Sequence, residues 1–189
     1  MTPMINLQSA TPGGLMRRRT KDGVIATSLT LTNIPDETQR QMLAYWQSKG
    51  SIGRLPSRAD IDPLDFPWAL GVVCLLNVER PPLRFRYRLD GSAIVEHHGR
   101  DFTGRTTDEI RPIAYADMLH LHFSEVVETA APNLYSITLL TDGKLRSYVR
   151  LALPFATDGS TVDMIMTVSK KGAEPAVAWD VRQCSHPMR

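Results

Sequence analysis

The stretch that most constrains this chain runs over residues 82–105, PLRFRYRLDGSAIVEHHGRDFTGR, where a strand pattern turns into a short helical segment and closes on two glycines. Leu83, Phe85, Tyr87 and Leu89 alternate with Arg84, Arg86, Arg88 and Asp90. A period of two puts the first set on a face turned to a core and the charged set on the opposite face. Gly91 ends the strand. The run Ala93-Ile94-Val95 is too short for a full helix, and Gly99 and Gly104 bracket Arg-Asp-Phe-Thr as two tight reversals that need positive φ. A strand feeding compact helical turns builds one wall of a pocket.

The rest of the chain supplies other walls. Asp36 followed by Gln39 is a capping box and Lys49-Gly50 a basic last turn with a terminal glycine, so residues 36–49 form a helix with Met42, Leu43 and Trp46 on one side. Asp62 and Pro63 are N-cap and first residue of a turn ending near Trp68. Arg58, Asp60 and Asp62 read as a local hydrogen-bond set; a binding constellation is the alternative. Residues 71–78 form an apolar run, a strand buried on both faces. A helix follows Pro112, with Tyr115, Met118, Leu119, Phe123 and Val126 at 3.6 spacing, and ends before Pro132. Three strands complete the pattern at 134–141, 144–153 and 161–169, reversing at Asp142-Gly143 and Asp158-Gly159. In the second, Val149, Leu151 and Leu153 oppose Arg146, Tyr148 and Arg150; in the third, Met164 and Met166 oppose Ile165 and Thr167.

This order predicts an α+β fold: an antiparallel sheet of about five strands with helices on one face, preceded by an N-terminal helix. The expected organisation is an N-terminal arm at 1–35, partly disordered; a helical cap and leader at 36–68; a core at 69–170; and a tail at 171–189. Val24 and its β-branched neighbours are a candidate extra strand within the arm, and the run Arg17-Arg18-Arg19 reads as solvated rather than phosphate-binding.

Composition limits the function classes. With 189 residues and 42% apolar content the chain can bury a core, and a net charge of +2 calls for neither nucleic acid nor a membrane surface. Cys74 and Cys184 give neither a disulfide framework nor metal-ligand spacing, so a reducing, cytoplasmic setting is the simpler expectation. No apolar run approaches a membrane span, and the N-terminus lacks a secretion-signal core.

Two stretches carry a family likeness: LPSRADIDP at 55–63 and RFRYRLDGSAIVEHHGRDFTGRTTDEI at 84–110, the latter containing the glycine step Gly99-Arg-Asp-Phe-Thr-Gly104. Over roughly residues 38–170 the chain resembles the PAS domains, and more closely a bacterial family of small, mostly stand-alone PAS proteins. The resemblance implies a sensing or signal-relay module without catalytic output, acting through a small-molecule ligand, a signalling partner or self-association. It also implies that the helix at 36–49 either caps the sheet or pairs two copies as a homodimer.

The pocket expected from the two periodicities is lined by Phe85, Tyr87, Leu89, His122, Phe123, Val149, Met164 and Met166, with Arg84, Arg86 and Arg88 facing away. Ordinary core packing is the competing reading of its methionines and aromatics. His122 lies in the apolar stripe, and some haem-binding PAS domains take an axial histidine from this helix, so a haem sensor is one alternative. Flavin is not indicated: no reactive cysteine for a covalent adduct falls between Gly91 and Pro132, and no sequence feature asks for a non-covalent one. A small isomerase or dehydratase using His122 or His98 with Asp101 or Asp117 is the other alternative, although no spacing pairs these residues. No catalytic residue and no metal ligand is assigned.

Overall fold

A computed structural model describes residues 18–19, 23–141 and 144–172. The sequence expectations for Arg17, the Asp142-Gly143 turn, Cys184 and most of the tail lie outside these residues, as does the side chain of His98. The described strands are β1 (Arg18–Arg19), β2 (Val24–Ser28), β3 (Val73–Glu79), β4 (Arg84–Leu89), β5 (Asn133–Thr141), β6 (Lys144–Phe155) and β7 (Met164–Lys171). They form one sheet in the order β1-β2-β5-β6-β7-β3-β4, every neighbouring pair antiparallel. Helices α1 (Glu37–Lys49), α2 (Ser92–His98) and α3 (Ile113–Thr129) pack around it, with three 3-10 turns between α1 and β3. None of these helices is long and apolar enough to cross a membrane.

The fold is α+β with an antiparallel sheet, as the element order implies, but both of its faces are covered. On one face lie α2 and α3, burying Leu76, Phe85, Leu119, Phe123, Val126 and Ile165. On the other lie α1 and the 3-10 turns at Pro63–Asp65 and Pro67–Val72. They bury Met42, Phe66, Leu151, Leu153, Phe155 and Met166 against the sheet. Removing each such side chain from water contributes about 1.5–3 kcal/mol. The core helices α2 and α3 share one face as expected, and the N-terminal helix that precedes the core caps the other, because the segment before β3 folds back as a second layer.

Local chemistry fixes that layer. The Asp36 carboxylate accepts from the Gln39 amide at 3.3 Å and starts α1. Gln39, buried beneath the helix, donates through Nε2 to the carbonyls of Val149 at 2.9 Å and Val168 at 2.8 Å. Trp46 donates its indole N–H to the Pro154 carbonyl at 2.7 Å. The stripe that offered a pairing surface between two copies is therefore seated on the chain's own sheet. Downstream, Asp60 accepts from the Ser57 amide and hydroxyl at 2.7 and 2.9 Å, and Asp62 accepts from the Leu64 amide at 2.9 Å. These acids close local turns and guide the chain into β3.

Two strands come from the N-terminal arm. β2 pairs with β5 from Val24↔Leu139 to Ser28↔Tyr135, and β1 pairs with β2. The helical segment after β4 is longer than three apolar residues suggest. α2 spans Ser92–His98, because Gly91 lets its first turn press on the preceding 3-10 helix. A Cβ at Gly91 would lie 2.5 Å from the Gly71 carbonyl oxygen and 2.7 Å from that of Val73.

Candidate functional site

The site lies between the sheet and α3, and the glycine step closes it. Gly99 ends α2 in the left-handed region at φ +73°, and Gly104 turns the chain back at φ +82°. The returning loop pairs with β4: the Gly104 amide donates to the Tyr87 carbonyl at 2.7 Å and the Tyr87 amide to the Arg105 carbonyl at 2.9 Å. Phe102 is thereby laid over the Tyr87 ring, centroids 6.0 Å apart. Its amide donates to Asp90 Oδ2 at 3.1 Å, while the Cys74 thiol donates to Asp90 Oδ1 at 3.1 Å. Burial raises the Cys74 thiol well above its ordinary range and, acting on Asp90, lifts that carboxyl above its usual value.

Behind this lid is a cavity of about 30 Å³, room for about two waters. Ile94, Phe102 and Phe123 form its apolar walls; Tyr87, Tyr115, Tyr148, Asp90, Thr167 and Arg150 supply polar groups. The hydroxyls of Tyr115 and Tyr148 are 2.6 Å apart and share one hydrogen bond. Arg150 is 3% exposed and projects from the middle of β6 toward α3. Its Nη2 donates to His122 Nδ1 at 2.8 Å, and its guanidinium lies 4.7 Å from the centroid of the Phe123 ring. The N–H groups on its Nε and Nη1 have no protein acceptor, and among the described residues no carboxylate forms an ion pair with it.

His122 answers to Arg150. A guanidinium only donates, so Nδ1 must accept and the proton resides on Nε2. Burial, reinforced by the Arg150 charge, pushes the imidazole down to about 2 and keeps it neutral. Its ring stacks on Tyr135, centroids 3.6 Å apart, and the Tyr135 hydroxyl donates to Glu125 Oε2 at 2.9 Å. Neither ring nitrogen offers a free lone pair in this arrangement, which removes the geometric basis of a haem ligand at His122. At His122 the enzyme pairing is not assembled either: the imidazole is buried whereas Asp101 and Asp117 are exposed, and Asp101 accepts from the Thr103 amide at 2.7 Å.

The residues expected to line one pocket divide among four places. Tyr87 and Phe123 line the cavity. Phe85 and His122 stand beside it, Phe85 edge-on to Phe123 at 5.4 Å and His122 behind Arg150. Val149, Met164 and Met166 are corrected to the opposite face, packed with α1. Alternation identifies which residues share a face, but in a sheet buried on both sides it does not say which helix that face meets. Leu89 is corrected to the surface at 44% exposure. The register shifts between Leu75 and Leu76, so Tyr87 pairs with Leu76 but Leu89 with Leu75, and this bulge throws Leu89 out of the inward set. Arg84 and Arg88 are exposed, and Arg86 pairs outward with Glu79 at 2.6 Å.

The sequence pattern does not single out Arg150, which alternation sets on the side of β6 opposite Val149, Leu151 and Leu153. A signal was present: Tyr148 and Ala152, two residues to either side, are poor companions for a solvated face.

An antiparallel sheet holding a small cavity beneath a helix and a glycine-bracketed loop defines a pocket-bearing α+β domain. A family model described as PAS domain matches residues 35–168, and the chain belongs to that family. No curated protein matches it. Among solved structures it is similar to the PAS domain of BvgS from Bordetella pertussis, at 18% identity and a TM-score of 0.47, over 61% of this chain and 90% of that one. It is also similar to the light-state structure of the blue-light photoreceptor Aureochrome1 LOV, at 11% identity and a TM-score of 0.42, over 58% of this chain and 88% of that one.

Proposed function

We propose that this chain is a PAS-type sensory or signal-relay module whose input is a small molecule held between the sheet and α3, without a reaction of its own. The observation that supports this reading is the polar cavity in an otherwise close-packed core. A purely structural core of this size has no use for a charged side chain at its centre. Occupancy would be felt at the lid carrying Phe102 and, through Arg150, at His122 and Tyr135 on β5. A bacterial stand-alone PAS protein in a reducing cytoplasm fits the free, buried Cys74 thiol.

The same reading has the core built by 69–170, the cap by 36–68, and output through a signalling partner or a homodimer. With the α1 stripe seated on its own sheet, a homodimer would use the helix's outer surface. Sedimentation of the full chain across the micromolar range tests this, and a monomer throughout would remove it. The ligand itself is tested by mass spectrometry of protein purified from cells, native and then denatured. Release of a stoichiometric small molecule is expected; a bare chain, inert to a metabolite panel in thermal unfolding, would overturn the small-molecule input.

A further inference from the structure

Among the polar groups at this cavity the shortage of hydrogen-bond partners is one-sided. Asp90 already accepts with both oxygens, from Cys74 and the Phe102 amide. His122 already accepts from Arg150. What is unmet belongs to donors: Nε and Nη1 of Arg150 are buried without a protein acceptor, and the Tyr87 hydroxyl makes no hydrogen bond among the described residues. Arginine keeps its charge in proteins, and a buried charge with no counter-ion is among the most costly arrangements a core can hold. Water accepts hydrogen bonds but leaves that charge uncompensated. An anion answers both demands.

We infer that the cavity is a binding site for a small carboxylate anion, anchored by Arg150 and oriented by the Tyr87 hydroxyl. This inference rests on the small-molecule input proposed above and specifies its chemistry. The size of the cavity sets the scale: space for about two waters matches the carboxylate of a formate- or acetate-sized molecule, not a ring system. A guanidinium suits a planar carboxylate better than a spherical ion, because its N–H groups diverge in one plane. The Phe123 ring under the guanidinium and the Phe102 lid keep solvent from screening the pair.

The test uses the full chain in thermal unfolding with sodium acetate, neutral acetamide, and sodium chloride at matched ionic strength. Acetate at a hundredfold excess over its Kd is expected to raise the midpoint by about 5–10 °C, saturably, with no response to acetamide or chloride. Arg150→Met is expected to weaken acetate binding by at least about thirtyfold. Its unliganded midpoint should match or exceed that of the wild type, because an uncompensated buried charge has been exchanged for an apolar chain of similar length. A structural arginine would give the reverse, a lower midpoint. If Arg150→Met does not fold, amide NMR shifts around Tyr87 and Phe102 on adding acetate or acetamide to the wild type decide the matter, with Tyr87→Phe as the second variant. A response to acetamide but not acetate would overturn the anion and leave a small-molecule input standing. Equal responses to acetate and chloride would overturn the carboxylate. No response to any probe, together with a destabilised Arg150→Met, would overturn this inference and the small-molecule input together.

Discussion

The two faces of the sheet are built from the same strands and each carries a buried apolar core, yet only the α3 face interrupts its core with a polar cavity. Toward α1, Met42, Phe66, Leu151, Leu153 and Phe155 are each no more than 2% exposed. Beneath that helix the buried Gln39 spends its amide N–H groups on two strand carbonyls. Toward α3, neighbouring positions of those strands carry Tyr148, Arg150 and Thr167, and a cavity opens among them. Val149 and Arg150 are consecutive, as are Met166 and Thr167. The difference shows a division of labour across one sheet: the face closed early in the chain holds the fold, which frees the other to keep groups that packing alone would exclude.

The largest expected effect breaks the closed face. Phe66→Ala empties a fully enclosed aromatic site and should lower the unfolding free energy by about 3–5 kcal/mol in urea titration. A loss under about 1 kcal/mol would mean that the α1 layer is not a core.

Next comes the pH response of the open face. His122 lies near 2 in the fold, chiefly through burial and secondly through Arg150, against about 6.5 when unfolded. The folded value is the lower one, so below about pH 6.5 the unfolded chain takes up a proton that the folded chain refuses. The stability contributed by neutral His122 is complete above that pH and is lost as pH falls toward about 2, by at most about 1.4 kcal/mol per pH unit. Urea titrations at pH 7 and pH 5 should therefore show a steeper acid loss for the wild type than for His122→Phe. Identical slopes would place a proton on folded His122. Arg150→Met, which removes the second cause, should give an intermediate slope.

Gln39→Ala sharpens the comparison from the closed side. It deletes the donors to the carbonyls of Val149 and Val168, and should cost roughly 1–3 kcal/mol without altering the acetate response. A changed response would mean that the two faces are coupled through β6 and β7.

Much of this architecture was legible. The Asp36 cap, the positive φ of Gly99 and Gly104, the 3.6 spacing along α3 and the inward Phe85 and Tyr87 each follow from chemistry within a few residues. The site was legible only in part, for two reasons that are not local. One is the bulge opposite Leu75 and Leu76, which leaves no mark in the β4 sequence itself and turns Leu89 outward. The other is the double covering of the sheet. Once α1 takes the more apolar side of β6, the side bearing Arg150 faces inward too, and a polar strand face ceases to mean solvent.

The smallest effect is the most specific test of that last point, because it compares two adjacent residues of β7. Met166 packs toward α1 and Thr167 lines the cavity, although both are buried to within 3% exposure. Met166→Leu keeps volume and apolarity, so it should cost under about 1.5 kcal/mol and leave acetate binding unchanged. Thr167→Val is matched in shape but exchanges a hydroxyl for a methyl on the cavity wall. Its stability change should be similarly small, while its acetate affinity should shift, since polar lining is what a small anion meets once it has left water. If Met166→Leu altered binding and Thr167→Val did not, the two faces would have been assigned the wrong way round, and the cavity beneath α3 would lose its claim to be the input site.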